Sequence, residues 1–208
     1  MKSAEKLAEI FRDFPGIGPR QAKRFVYFLL SKNPSFIKQL KDALSELKEE
    51  MRVCQNCYRF FPKDASVASL CSICKSKNRD ATVLLIVPRD VDLENIEKSG
   101  TYNGIYFVLG GTVPILEKNP ELKIKINELK KKISDNLKLS DKKLKEIILG
   151  MSLNPEGENT AFFIQNEIKN INGMNDVKIS HLGRGLSTGT ELEYSDSLTL
   201  KNALENRR

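Results

Sequence analysis

The chain has 208 residues, 40% hydrophobic and 29% charged, with a net charge of +7 at neutral pH. That composition suits a folded globular protein and excludes a disordered or fibrous chain. No apolar run is long enough to cross a bilayer, and Met1 to Ile10 interleaves acids and lysines without a signal-peptide core, so the expected location is the cytoplasm. The positive excess is not spread evenly. It lies in the first 80 residues, while residues 81–208 carry as many acids as bases. A polyanion is the natural partner for the N-terminal part, nucleic acid first among them.

In chain order, Ala4 to Arg12 reads as a short helix with Leu7, Ile10 and Phe11 on one face. Phe14-Pro15-Gly16-Ile17-Gly18-Pro19 follows as a tight turn, with Pro19 suited to the first position of a new helix. That helix runs from Arg20 past Leu30, with Ala22, Phe25, Val26, Leu29 and Leu30 as its apolar stripe. Arg20, Lys23 and Arg24 sit on its other side, in the first turns. The pattern is a helix-hairpin-helix. Gly16 and Gly18 allow close backbone approach, so N–H groups at the helix start can point at a phosphate while the three cations neutralise others. Cations at a helix N-terminus run against the macrodipole, a cost that a docked anion would offset. Contacts of this kind read backbone rather than bases, which predicts binding without sequence preference. An ordinary tight turn between helices is the structural alternative. A third helix is expected over Ser35 to Met51, with Phe36, Ile37, Leu40, Leu44 and Leu47 packing the core of a small module.

Cys54-Gln-Asn-Cys57 and Cys71-Ser-Ile-Cys74 hold all four cysteines, thirteen residues apart. Two such turns supply four thiolates, which match a closed, structural tetrahedral zinc site with no open position for catalysis. Metal binding would contribute much of the folding free energy of so small a segment. Two disulfides are the alternative, disfavoured by the lack of any mark of secretion. Arg52, Arg59, Lys63, Lys75, Lys77 and Arg79 surround the cysteines and either extend a nucleic-acid-facing surface or keep the knuckle solvated.

After Asp80 the pattern becomes alternating. Strands are expected at Thr82–Val87, Tyr106–Leu109, Glu146–Leu149 and Val177–His181. Helices are expected at Val91–Ser99, from Pro120 to about Asn136, at Asn159–Ile171 with Phe162, Phe163, Ile164 and Ile168 inside, and at Leu198–Leu204. This argues for a compact α/β domain on a parallel sheet. Acids collect where such sheets bind ligands: Asp90 and Asp92 after the first strand, Glu156 and Glu158 after the third. They either hold Mg²⁺ or cap helix N-termini. His181, the only histidine, reads as a structural group at a strand end. No nucleophile has an evident partner, and no Gly-rich loop ending in Lys-Ser/Thr is present.

The order of parts resembles the bacterial recombination mediator family RecR. The resemblance rests on Phe14-Pro-Gly-Ile-Gly-Pro-Arg20, the cysteine pairs, Tyr106-Phe-Val-Leu-Gly-Gly111, Glu156-Gly-Glu158, and Gly183-Arg-Gly-Leu186 with Glu191-Leu-Glu-Tyr194. It implies an α+β protein of four parts: a helix-hairpin-helix over 1–52, a four-cysteine zinc finger over 53–78, a Toprim-like α/β domain over 79–180, and a tail over 181–208 that contacts another subunit. It further implies a non-catalytic, nucleoid-associated DNA-repair protein. Such a protein forms a dimer or tetramer ring on DNA and acts with RecO and RecF to load the RecA recombinase. Arg20 and Arg24 match the family's DNA-contacting positions, the four cysteines its zinc ligands, and Asp92, Glu156 and Glu158 the Toprim acids linked to RecO. Several positions depart from the pattern. Pro88 stands where a Toprim glutamate is expected, Ser152-Leu153 replaces Asn-Pro, Ser187 a proline and Thr190 a glycine. The alternatives are a Mg²⁺-dependent Toprim phosphoryl-transfer enzyme, such as a nuclease or primase, and a zinc-ribbon adaptor without direct DNA contact.

Overall fold

The computed structural model describes residues 2–63, 69–139, 143–183, 186, 189, 191–195 and 197–205. Arg184 and Gly185 of the tail motif, and Ser187 and Thr190, lie outside the described residues. The chain divides into two compact units, Met1–Met51 and Arg52–Arg208.

The first unit is three helices: α1 (Lys2–Arg12), α2 (Pro19–Leu30) and α3 (Pro34–Glu50). Asn33 starts α3 by accepting the Phe36 N–H at 2.8 Å, with Pro34 in the first helical position. The expectation that the apolar stripes of α2 and α3 form a core is corrected here. Only Ala22 and Val26 are buried; Phe25, Leu30, Ile37, Leu40, Leu44 and Leu47 are exposed. Three short helices enclose too little volume to cover these side chains. Ring contacts join the aromatic side chains of this unit, Phe11 to Phe14 and Phe25, and Phe28 to Phe36, at centroid distances of 5.5–6.0 Å.

Two short strands follow, β1 (Met51–Val53), which begins on the last residue of the first unit, and β2 (Phe60–Pro62), paired with each other, and then one helical turn, α4 (Ser72–Lys75). Then come β3 (Asp80–Val87), α5 (Asp90–Ser99), β4 (Gly104–Val108), α6 (Ile126–Leu137), β5 (Glu146–Leu149), α7 (Pro155–Lys169), β6 (Lys178–His181) and α8 (Ser197–Glu205). The larger sheet has the order β4-β3-β5-β6 and is parallel throughout. The apolar β-branched run of β3 is explained by its central place: Leu84, Leu85, Ile86 and Val87 are all buried. One face of the sheet packs against Leu129 and Ile133 of α6 and Ile164 and Ile168 of α7. The other packs against Leu93 of α5 and the buried cysteines.

Two expectations change in the second unit. The helix expected from Pro120 is a single 3-10 turn, Pro120–Leu122, and α6 begins only at Ile126. Between them Ile124 is buried, and the Lys125 N–H reaches the Leu109 carbonyl at 3.0 Å, which holds the segment against the end of β4 and out of a helix. Phe162 is exposed, not inside; the buried face of α7 is Gly157, Thr160, Ala161, Ile164 and Ile168, an i, i+3, i+4 pattern that leaves Phe162 off its stripe. No described helix is long and apolar enough to cross a membrane.

Candidate metal centre and nucleic-acid interface

The four cysteines, separated in sequence, come together. One ligand atom from each of Cys54, Cys57, Cys71 and Cys74 lies within 4.8 Å of all the others, and Cys57 Sγ is 3.6 Å from Cys71 Sγ. All four are free thiols, so the disulfide alternative does not hold in this structure. Cys54, Cys57 and Cys71 are buried and Cys74 is half-buried. The backbone builds the knuckle: the Cys54 N–H donates to the Arg59 carbonyl at 2.9 Å and the Tyr58 N–H to the Cys54 carbonyl at 2.9 Å. Tyr58 turns the chain with φ of 62°, an uncommon conformation for an aromatic residue. The Cys71 N–H points at Cys54 Sγ across 3.4 Å. This is a cluster able to bind a metal ion, and four soft donors leave a tetrahedral ion no open position.

The cluster is seated on the α/β body by four kinds of contact. The Val108 N–H of β4 donates to the Cys57 carbonyl at 2.8 Å. The Tyr58 ring packs on Phe107 at 5.1 Å. The Phe60 N–H of β2 donates to Asp90 Oδ1 at 2.7 Å. Lys132 of α6, only 8% exposed, donates to both the Asn56 carbonyl and its side-chain Oδ1, at 2.8 and 2.6 Å. Burial pushes the Lys132 ammonium toward the neutral form, an effect that thiolate charge on the four cysteines opposes. At the exit from the cysteines, Arg79 forms a two-pronged ion pair with Glu97 of α5, at 2.7 and 2.5 Å. Hydrogen bonding to that guanidinium holds the Glu97 carboxyl below its ordinary range.

The acids expected to meet beyond the strand ends do not assemble. Asp90 is engaged by Phe60. Asp92 accepts the Arg89 N–H at 3.1 Å and so closes the first turn of α5. Glu156 accepts a hydrogen bond from the Thr112 hydroxyl. Glu158 is exposed at the start of α7. Among the described residues, the four cysteines are the only group of three or more potential ligands within metal-binding range. Asp92 serves the helix start that sequence reasoning offered as the alternative to Mg²⁺. Gly157, between Glu156 and Glu158, is demanded by packing: a Cβ there would lie 2.1 Å from the Ser152 carbonyl oxygen. Pro88 is buried, and its carbonyl accepts the Gly110 N–H at 3.0 Å. His181 lies exposed at the end of β6, beside Met151, Glu158 and Phe162 around a small cleft.

In the helical unit, Gly16 takes φ of 76°, a left-handed conformation that turns the chain between α1 and α2. The Ile17 N–H closes the turn onto the Phe14 carbonyl at 3.1 Å. Gly18 is the N-cap of α2 in an extended conformation and offers no capping side chain, so the first-turn N–H groups meet none there. No acid lies in the first turn of α2. Arg20, Lys23 and Arg24 are all exposed around this end, and the Arg24 guanidinium donates to Gln21 Oε1 at 3.4 Å. The arrangement concentrates N–H dipoles and three cations at one surface and is suited to an anion.

Comparison with known proteins agrees with this layout. Residues 4–48 match the family described as RecR, helix-hairpin-helix; residues 82–182 match the Toprim domain; residues 185–208 match RecR, C-terminal. Curated relatives named Recombination protein RecR include one from Bifidobacterium adolescentis, 34% identical over 98% of this chain and 94% of its own length. Another, from Chloroflexus aurantiacus, is 34% identical over 98% of this chain and 92% of its own length. A third, from Cytophaga hutchinsonii, is 37% identical over 93% of this chain and 87% of its own length.

Proposed function

The chain belongs to the RecR family of recombination proteins, and from that premise we propose that it is a non-catalytic DNA-binding mediator of recombinational repair. In this reading it binds DNA without sequence preference and acts with RecO and RecF to load RecA onto single strands in the nucleoid. The observation that carries it is the start of α2. Gly16 and Gly18 shape a helix end with no capping side chain, and Arg20, Lys23 and Arg24 stand exposed around it. Such an end grips phosphate backbone and ignores base identity.

The remaining parts take supporting roles. Residues 1–52 contact DNA, and 53–78 form the finger. Residues 79–180 form the Toprim-like body, and 181–208 contact a second subunit. The ion is Zn²⁺, held by Cys54, Cys57, Cys71 and Cys74, and its work is structural. Self-association into a dimer or tetramer ring is supported by the apolar face of the helical unit. There an open groove of ≈ 1010 Å³ is lined by Leu7, Leu29, Leu30, Ile37, Leu40 and Leu44. Asp92, Glu156 and Glu158 are the acids we assign to RecO engagement.

A Mg²⁺-dependent phosphoryl-transfer enzyme is the second reading, favoured by the Toprim match over residues 82–182. The separation of the three acids and the presence of Pro88 weigh against it. One assay separates the two. RecA assembly is followed on single strands coated with single-strand-binding protein, with RecO present and Mg²⁺ in the buffer. The mediator reading expects faster assembly with the chain added, intact DNA, and no acceleration by Arg20→Glu/Arg24→Glu. DNA cleavage that disappears with Asp92→Ala would replace it by the enzymatic one.

A further inference from the structure

Three consecutive lysines of α6 meet three different fates. Lys130 pairs with Glu167 of α7, Lys131 is exposed, and Lys132 is buried. A buried ammonium is costly unless an anion answers it. No carboxylate among the described residues pairs with Lys132. Its two hydrogen-bond partners are neutral oxygens, both on Asn56, inside the Cys54-Gln-Asn-Cys57 turn. Once deprotonated, the four cysteines are the negative charges that favour its ammonium form. A divalent ion held by four thiolates carries a net double negative charge, in a site where three of the four sulfurs are buried. The lysine and the cluster therefore answer each other.

We propose that Lys132 is the outer-sphere cation of the four-cysteine metal site. Supplied by the α/β body, it neutralises part of the thiolate charge and fixes the Asn56 turn that presents Cys54 and Cys57. The inference rests on the reading that the cysteines hold a metal. It adds a positioning residue 76 places away in sequence from its partner. It also makes metal retention a joint property of finger and body. Partners outside the ligand set commonly govern metal affinity by tenfold to a hundredfold.

The test uses the full chain loaded with Co²⁺, whose thiolate-to-metal charge-transfer band reports the electron density on sulfur. Lys132→Gln removes the charge and keeps a polar end, one atom shorter; Lys132→Met keeps the apolar stem; Lys132→Arg keeps the charge. We expect the band to move to lower energy in both neutral variants and to stay at the wild-type position in Lys132→Arg. Zn²⁺ transfer to a chelator should run about ten times faster or more in the neutral variants. Faster release without this matched pair of band shifts would mean merely looser packing and would overturn the proposal. Unchanged bands, with release within about twofold of wild type, would overturn the proposal while leaving the metal site standing. Failure of the wild-type chain to take up Co²⁺ or Zn²⁺ would overturn the metal reading itself, and the proposal with it.

Discussion

Gly157→Ala is a substitution for which helix propensity and packing predict opposite signs. Gly157 lies in the first turn of α7, and alanine in a helix is favoured over glycine by about 1 kcal/mol. If propensity governed, the variant would be more stable. The added Cβ, however, would meet the Ser152 carbonyl oxygen at 2.1 Å and its carbon at 3.0 Å, and both are backbone atoms that cannot swing away. The start of α7 would have to shift, which disturbs the Asn154 cap on the Gly157 N–H at 2.8 Å. It would also disturb the bonds that tie Thr160 to Val113 and Asn159 to the Val113 carbonyl. Overpacking of this kind costs about 1–3 kcal/mol, and a lost cap about 1 more, so packing exceeds propensity. The expected net loss is about 1–3 kcal/mol. For a chain of this length that lowers Tm by roughly 2–4 °C per kcal/mol. Thermal unfolding followed by circular dichroism, with saturating zinc in every sample, reads it directly. A Tm equal to or above wild type would refute the close approach of α7 to Ser152.

Two further outcomes follow from the second unit. Cys71→Ser should lower bound zinc well below one ion per chain and lower the melting temperature; full occupancy by elemental analysis would contradict the four-cysteine site. The Arg79–Glu97 pair gives a pH signature. Because Glu97 is held below the ordinary carboxylate range, its contribution is complete at neutral pH, above the unfolded value of about 4.3. It fades as pH falls through the depressed value. Glu97→Gln should therefore be less stable than wild type at pH 7, and the gap should narrow below about pH 4. A gap that stays constant down to pH 3 would show that the ion pair is not its source.

Much of this fold was legible because strong periodic signals coincide with burial. The run Thr82–Val87 falls inside β3, the central strand, and the spacing of the cysteines anticipates their cluster. The misses have local causes. β1, β2 and α4 are three or four residues long, too short for any period to show, and depend on the knuckle they surround. The start of α7 carried a readable signal, an Asn154 cap followed by Pro155, that a purely apolar reading overlooks. The stripes of α2 and α3 have the right period, but periodicity marks an apolar face without saying whether this chain covers it. Lys132 was unreadable, since nothing local distinguishes it from Lys130 and Lys131; only its place behind the Asn56 turn does.

The central claim is that the start of α2 holds DNA by its phosphates. Equilibrium binding to a short gapped duplex, across a salt series with Mg²⁺ present, tests it most directly. Wild-type chain should bind unrelated sequences equally, with log K falling steeply against log salt. Arg20→Ala/Arg24→Ala should weaken binding to all of them and reduce that slope by about 2 for each bound subunit. Undiminished binding by the variant, with an unchanged slope, would place the DNA contact elsewhere and contradict the account.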